Sequence, residues 1–436
     1  MVTRKSVAFK VATAGLALAM AVGLAACSTS ASTDSASSTK TVIVGMNSGL
    51  VPQFQKYADL YNKTAKAKIK LEAIPDAPAD YIQKLVTQSL SGSLPDVIFN
   101  YDSLNQQLAA SNLLYNLTPW LTEGKDGLKR SSFVPAFLNQ YIADPKSGAI
   151  GGIPVSADST MLFYNKTLFE KAGVTDLPTD KWTWDDLYAA AKKISAAGAG
   201  KYWGLETPIG TGDANFINYP FLTAGGSSIY DTKTKKFDFA NAKGLAVWNY
   251  MIEPYTEGWG TPAATGAAVD YFAAGQSAMR LDTRPAIARY RDGLKDDWNV
   301  INLPTLDGNP VVGGGSYGLS ISAKSDNKDN AWKFLAWFYS TNGGMKAAEP
   351  NGVIPATTDG INNGTWLKDT NPVPANLIAA TKYAVKTAKL PPAVPNKAAA
   401  DLGPDLKAAL QEVLVGGKSV KDAYTEAQDK LNAELG

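Results

Sequence analysis

The sequence predicts an α/β protein built on parallel sheets, and two observations carry that expectation. Short β-rich apolar runs alternate with segments whose apolar residues recur at helical spacing. The roughly 400 residues that follow an N-terminal apolar segment are also enough for two domains with an ample core. Strand–helix–strand order of this kind implies right-handed crossovers.

The N-terminal segment reads as an export signal. Arg4, Lys5 and Lys10 precede an apolar run from Val11 to Leu24, followed by Ala25, Ala26 and Cys27. The run is about 14 residues, shorter than the roughly 20 that a helix needs to cross a bilayer, so it is expected to be cleaved rather than to anchor the chain. Cys27 is the only cysteine, and the chain has no histidine, which excludes an intrachain disulfide and any metal site built on Cys and His. "LAAC" (24–27) resembles the bacterial lipobox, which implies a lipidated N-terminal cysteine. Two or more acyl chains there would hold the protein stably at a membrane surface. The Ser-, Thr- and Ala-rich residues 28–39 read as a flexible tether, giving expected segments 1–26 (signal) and 27–40 (lipidated Cys27 and tether).

Charge excludes other partners. The chain has 42 basic and 40 acidic residues. Removing residues 1–26 takes away three basic and no acidic residues, leaving 39 against 40, a net −1. There is no basic footprint for nucleic acid.

"KTVIVGM" is a strand, and in "LVPQFQKYADLYNK" Phe54, Tyr57, Ala58 and Tyr61 fall on one helical face. The pattern repeats as "KIKLEAI", as "DYIQKLVTQSL" with Ile82, Leu85, Val86 and Ser89 on one side, as "DVIFN", and as "LNQQLAASNLL". Ligands of open α/β sheets bind beyond the carboxyl ends of strands. That rule points to Asn47 and Ser48 after the first strand, and to Asn100, Tyr101 and Asp102 after the third.

In "WTWDDLYAAAKKI", Thr183 is placed as N-cap and Asp186 at the capping-box position, so the Asp185–Asp186 pair is helix-start electrostatics rather than catalysis. An aromatic-rich loop (207–226) and the helix "AKGLAVWNYMIEPY" follow. "FAAGQSAMRLDTRPAIARY" supplies a strand and a loop with Asp282, Thr283 and Arg284. "GGGSYG" (313–318) matches G-x-G-x-x-G formally, but the strand-like "LSISAK" follows where a phosphate loop would open a helix. Its glycines are assigned to a flexible crossover. Two amphipathic helices, stopped between them by Gly416 and Gly417, end the chain. No internal repeat of 20 to 50 residues is present.

The order of "SLPDVIFN", "LAASNLLYNLTP", "GIPVSADSTMLFYNKTLFEKAGV", "WTWDDLYAAAKKI", "FAAGQSAM" and "GLSISAKSDNKDNAWKFLAWF" resembles the family 1, carbohydrate-type extracellular solute-binding proteins of ABC importers. The chain is distantly similar to the maltodextrin binders among them, over roughly residues 41–436. The resemblance implies a two-lobed periplasmic-binding-protein-like (type II) α/β fold, each lobe a mainly parallel sheet flanked by helices. Three crossovers are expected near 155–160, 313–317 and 352–356. Lobe 1 would comprise 41–155 and 313–353, and lobe 2 156–312 and 354–436. It further implies a lipid-anchored, extracytoplasmic monomer, without cofactor or catalysis, that takes a sugar in its interlobe cleft and delivers it to membrane permease subunits. Carried over by motif, the ligand-contacting positions are Asn47, Ser48, Asn100, Tyr101, Asp102, Ser156, Asp158, Phe216, Tyr219 and Arg284, with Asp282 in the same turn as Arg284. The chain departs from the pattern in that turn, where "DTRPA" puts Pro285 in place of the usual tryptophan, and "NKAAADLGP" lacks the aromatic of maltodextrin binders. Tyr317, Trp203 and Trp259 are candidate replacements. A pyranose needs aromatic rings for its C–H faces and carboxylate, amide or guanidinium partners for its hydroxyls, and the loops hold both. Two rivals remain: a surface glycosidase, and the same fold holding a peptide, polyamine or iron complex.

Overall fold

The computed structural model describes residues 40–436 except 207–208, 210–213, 263–268, 346–355, 364–373 and 393. The signal segment, Cys27 and nearly all of the tether lie outside the described residues. Nine strands build the two main sheets: β1 (Val42–Asn47), β2 (Ile69–Ile74), β3 (Val97–Tyr101), β4 (Ile153–Pro154), β5 (Asp158–Asn165), β6 (Met279–Thr283), β7 (Trp298–Ile301), β8 (Gly314–Gly315) and β9 (Tyr317–Ile321).

The first lobe carries the sheet β2-β1-β3-β9-β4. Strands β1, β2 and β3 run parallel, whereas β9 and β4 join antiparallel, with Tyr317 opposite Tyr101 and Ile321 opposite Val97. The helix Val51–Thr64 buries Phe54, Tyr57, Ala58 and Tyr61, the face its periodicity predicts. The helix Pro78–Ser91 starts on proline and stops at Gly92, whose φ of 72° is the left-handed conformation that glycine adopts freely. After β9, the helix Lys328–Phe338 closes the layer, and Phe338 stacks on Phe54 at 6.0 Å.

The second lobe is organised around β5, all eight of whose residues are buried. Here the expectation of a mainly parallel sheet fails: β6, β7 and β8 all pair with β5 antiparallel. The physical reason is the order of the strands. Strand β6, the helix Ala286–Gly293 and strand β7 form a strand–helix–strand unit whose two strands do run the same way, but they flank β5, which runs the opposite way between them. The helix Trp184–Gly198 has the capping box expected of Thr183 and Asp186, and Trp184 is fully buried against Phe221 and Tyr188. The closing helices Asn396–Leu414 and Val420–Leu435 pack against each other, and Tyr424 of the second stacks on Trp248 at 4.2 Å.

Two crossings between the sheets lie side by side. Strand β4 ends in the first sheet at Pro154 and β5 begins in the second at Asp158, while β8 and β9 flank Ser316. The Val155 N–H donates to Tyr317 O at 2.7 Å, and the Thr160 N–H to Gly313 O at 3.0 Å. None of these hinge glycines has a positive φ; space is what they supply. A Cβ on Gly315 would lie 2.9 Å from the Phe216 ring and 3.0 Å from Asp102 Oδ2. Downstream, the Val134 N–H donates to Ala356 O and Phe133 pairs with Thr357, so residues 356–357 still belong with the first lobe. The helix Leu377–Thr387 packs on β5, and the third expected crossover, 352–356, lies outside the described residues except for Ala356.

Candidate ligand-binding cleft

A cavity of about 1440 Å³ lies at the crossovers, lined by residues of both lobes. That exceeds the roughly 300 to 1,000 Å³ of a typical small-molecule site. Six residues anticipated from sequence meet there: Tyr101, Asp102, Asp158, Phe216, Tyr219 and Tyr317.

Tyr101 and Asp102 arrive at the carboxyl end of β3. The Tyr101 ring stands edge-on to Tyr317 at 6.3 Å, and burial, with a smaller contribution from the Asp76 charge, pushes its phenol up. Tyr317 is placed opposite it by the β3–β9 register, and burial raises its phenol as well. Asp102 ties the strand end to the hinge, its Oδ2 accepting from the Ser316 N–H at 2.9 Å and its Oδ1 from the Ser103 N–H at 2.6 Å.

Asp158 opens β5. It is 8 % exposed, accepts from the Ser156 hydroxyl at 2.8 Å, and is pushed up to about 6 by burial, against which the Ser156 bond and the Arg284 charge pull. Arg284 is itself buried and lowered to about 10 by desolvation, which Asp158 opposes. Ser156 and Arg284 thus act on the cleft through Asp158 and do not line it. Phe216 and Tyr219 enter from the second lobe on the turn leading into the helix Tyr219–Ala224.

The other anticipated residues do not line the cavity. Asn100 is fully buried, with its Nδ2 donating to Asn105 Oδ1 and Ser320 Oγ, each at 2.9 Å. Successive strand side chains point to opposite faces, so placing Tyr101 in the cleft turns Asn100 into the lobe. Asn47 and Ser48 hold the loop after β2: the Asn47 Nδ2 donates to Asp76 O at 3.3 Å, and the Ser48 hydroxyl donates to the Asp76 carboxylate. Asp282 lies on β6 rather than in a loop and is held by Arg280 (3.0 Å), Arg289 (2.9 Å) and Tyr290. Trp203 and Trp259 pack against Tyr271 and Tyr188 and do not line the cavity.

The cavity also uses residues that the sequence reading missed. Gln106 stands one helical turn beyond Asp102, where the strand-end rule extended by a turn would have found it. Tyr230 and Asp231 sit on a small hairpin, and Leu390 and Pro391 follow the helix Leu377–Thr387; no local pattern marks either pair. Gln140 reaches across to Pro391 O at 3.3 Å. Among the described residues no cluster of three His, Cys, Asp or Glu could hold a metal, and no helix is long and apolar enough to cross a membrane.

Known proteins share this fold. The profile described as bacterial extracellular solute-binding protein matches residues 47–345. A putative binding protein of Brucella abortus is 24 % identical over 371 residues, covering 81 % of this chain and 83 % of its own. An ABC substrate-binding protein of Listeria monocytogenes solved with cycloalternan superposes with a TM-score of 0.75 at 22 % identity, covering 91 % of this chain and 98 % of that one. A Mycobacterium tuberculosis protein solved with glycerophosphocholine gives 0.73 at 18 % identity, covering 91 % and 98 %.

Proposed function

Because the chain belongs to the bacterial extracellular solute-binding proteins, we propose that it captures an oligosaccharide in the interlobe cleft and presents it, unconverted, to the permease of an ABC importer. The observation that carries this reading is the composition of the cavity. Tyr101, Phe216, Tyr219 and Tyr317 offer ring faces and edges for pyranose C–H surfaces, while Asp102, Asp158 and Gln106 offer hydroxyl partners. Its volume suits several sugar units. The Listeria relative solved with cycloalternan supports the same ligand class.

Asp158 and Tyr101 are the leading contacts in this reading. Lobe 1 is built on the sheet β2-β1-β3-β9-β4 and lobe 2 on β5 with its partners β6, β7 and β8, and closure about residues 155–157 and 316 shapes the surface the permease meets. Cys27 carries the lipid that keeps the protein, as a monomer, on the outer face of the cell membrane.

Calorimetric titration against a panel of neutral oligosaccharides tests the reading, with chromatography of the sugar afterwards. Micromolar, stoichiometric binding of intact sugar is expected; steady release of cleaved sugar would instead establish a glycosidase. The similar structure solved with glycerophosphocholine favours a second reading, in which the same cleft takes a glycerophosphodiester. Its titration belongs in the same panel.

A further inference from the structure

Parts of the cavity lining differ in what supports them. Asp158, Gly315 and Tyr317 belong to the hinge strands β5, β8 and β9, which are built into the main sheets. Tyr230 and Asp231 belong instead to a small hairpin, Tyr230–Asp231 with Lys236–Phe237, that is part of neither main sheet, and Asp238 follows directly after it. A two-stranded hairpin is marginally stable in water by itself. Its position in the cleft has to be fixed from outside.

The last helix, Val420–Leu435, supplies that support. Tyr424, Gln428 and Asn432 recur one turn apart and share one face of it. In the hairpin Phe237 stands opposite Tyr230, and the Asp238 N–H donates to Ile229 O at 3.2 Å. The other edge is taken by side-chain amides. The Phe237 N–H donates to Asn432 Oδ1 at 2.8 Å while Asn432 Nδ2 donates back to Phe237 O at 3.1 Å, the exchange that a neighbouring strand would make. The Ala240 N–H donates to Gln428 Oε1 at 2.7 Å. Tyr424 stacks on Trp248, whose Nε1 donates to Phe239 O at 2.9 Å. Asp238 is thus held from both sides, and the bonds at Phe237 carry over to Tyr230 through the strand pair.

Resting on the saccharide reading above, we infer that Gln428 and Asn432 are positioning residues that set ligand length: from outside the cavity they hold the hairpin where it meets the sugar units beyond those at the hinge. A cavity of about 1440 Å³ exceeds what a disaccharide fills, which leaves the hairpin to the following units. Hydrogen bonds to those units contribute only if the hairpin is already in place, because ordering it on binding would offset them.

Maltose with maltotetraose, and cellobiose with cellotetraose, supply matched probes for calorimetric titration of the full chain. One tetrasaccharide is expected to bind at least about tenfold more tightly than its disaccharide, the worth of one or two further hydrogen bonds. Asn432→Leu and Gln428→Met remove the amides at similar size, and in each the tetrasaccharide-to-disaccharide ratio should fall toward one while disaccharide affinity changes by less than about twofold. Gln428→Glu keeps an acceptor for the Ala240 N–H and should keep the wild-type ratio, a rescue that a general loss of packing would not show. Melts check that each variant is folded. Equal affinity for both lengths in the wild type, an unchanged ratio in Asn432→Leu and Gln428→Met, or an equal loss at both lengths overturns the length role and leaves the saccharide reading standing. If none of the four sugars binds, both fall.

Discussion

Replacing Asp158 by asparagine should strengthen the fold and weaken the site, a combination that a purely structural residue would not give. Burial holds this carboxyl up at about 6 against an ordinary 3.8, so the folded chain keeps a proton that the unfolded chain releases between about pH 4 and pH 6. The folded state binds more protons in that window, so stability falls as pH rises through it and stays lower above pH 6. Two units correspond to a cost of about 3 kcal/mol at neutral pH. Asparagine cannot ionise and can still accept from Ser156, so Asp158→Asn should melt higher at pH 7 and lose the dependence between pH 4 and 6. Binding should move the other way. Sugar hydroxyls donating to the ionised carboxylate are worth about 1.5 to 3 kcal/mol, so the variant should bind about 10- to 150-fold more weakly at pH 7. Wild-type affinity should also fall below pH 6, by at most about tenfold per unit, whereas the variant's should stay flat. Calorimetric titrations and melts of both proteins from pH 4.5 to 7.5 measure all of this. Wild-type affinity in the variant at pH 7 would refute the assignment of Asp158 as a ligand contact.

Three further outcomes follow from the same geometry. Tyr101→Ala should weaken binding by about 1.5 to 3 kcal/mol in titrations at pH 7 with only a small change in melting temperature, because its half-buried ring faces the cavity. Trp184→Ala should do the reverse, destabilising the second lobe by about 3 to 5 kcal/mol in denaturant melts while leaving affinity per folded molecule intact. Gly315→Ala should push Phe216 and Asp102 off the hinge strand and weaken ligand binding at least tenfold, a loss that Phe216→Leu should partly relieve by making room for the new methyl group. For the anchor, Cys27→Ser should move the protein from the membrane fraction to the soluble one on fractionation; unchanged membrane attachment would exclude the lipoprotein assignment.

Much of the scaffold was legible because its signals are local. The helix Val51–Thr64 buries the four residues its spacing selects, and the Thr183–Asp186 capping box forms as the sequence specifies. Strand direction in the second lobe was not legible. Pairing depends on which strand is inserted between β6 and β7, and β5 comes from more than a hundred residues earlier in the chain. The lining of the cavity was anticipated only in part for a related reason. The strand-end rule points to loops at the cavity but does not say which side chains of a loop line it. Alternation sends Tyr101 to the cleft and Asn100 inward. The same rule applied to β2 would have found Asp76, which engages Asn47 and Ser48 and whose charge is felt by Tyr101. Gly315 was assigned a conformational role, but its neighbours show a steric one, set by Phe216 from a distant loop.

The central claim is that the cleft holds a saccharide and does nothing to it. A crystal structure of the protein grown with a tetrasaccharide that binds in titration tests this most directly. The account predicts an intact sugar between the lobes, with a hydroxyl donating to Asp158 and a ring against Tyr101 or Tyr317. A sugar bound elsewhere, or a cleaved product in the cleft, would contradict it.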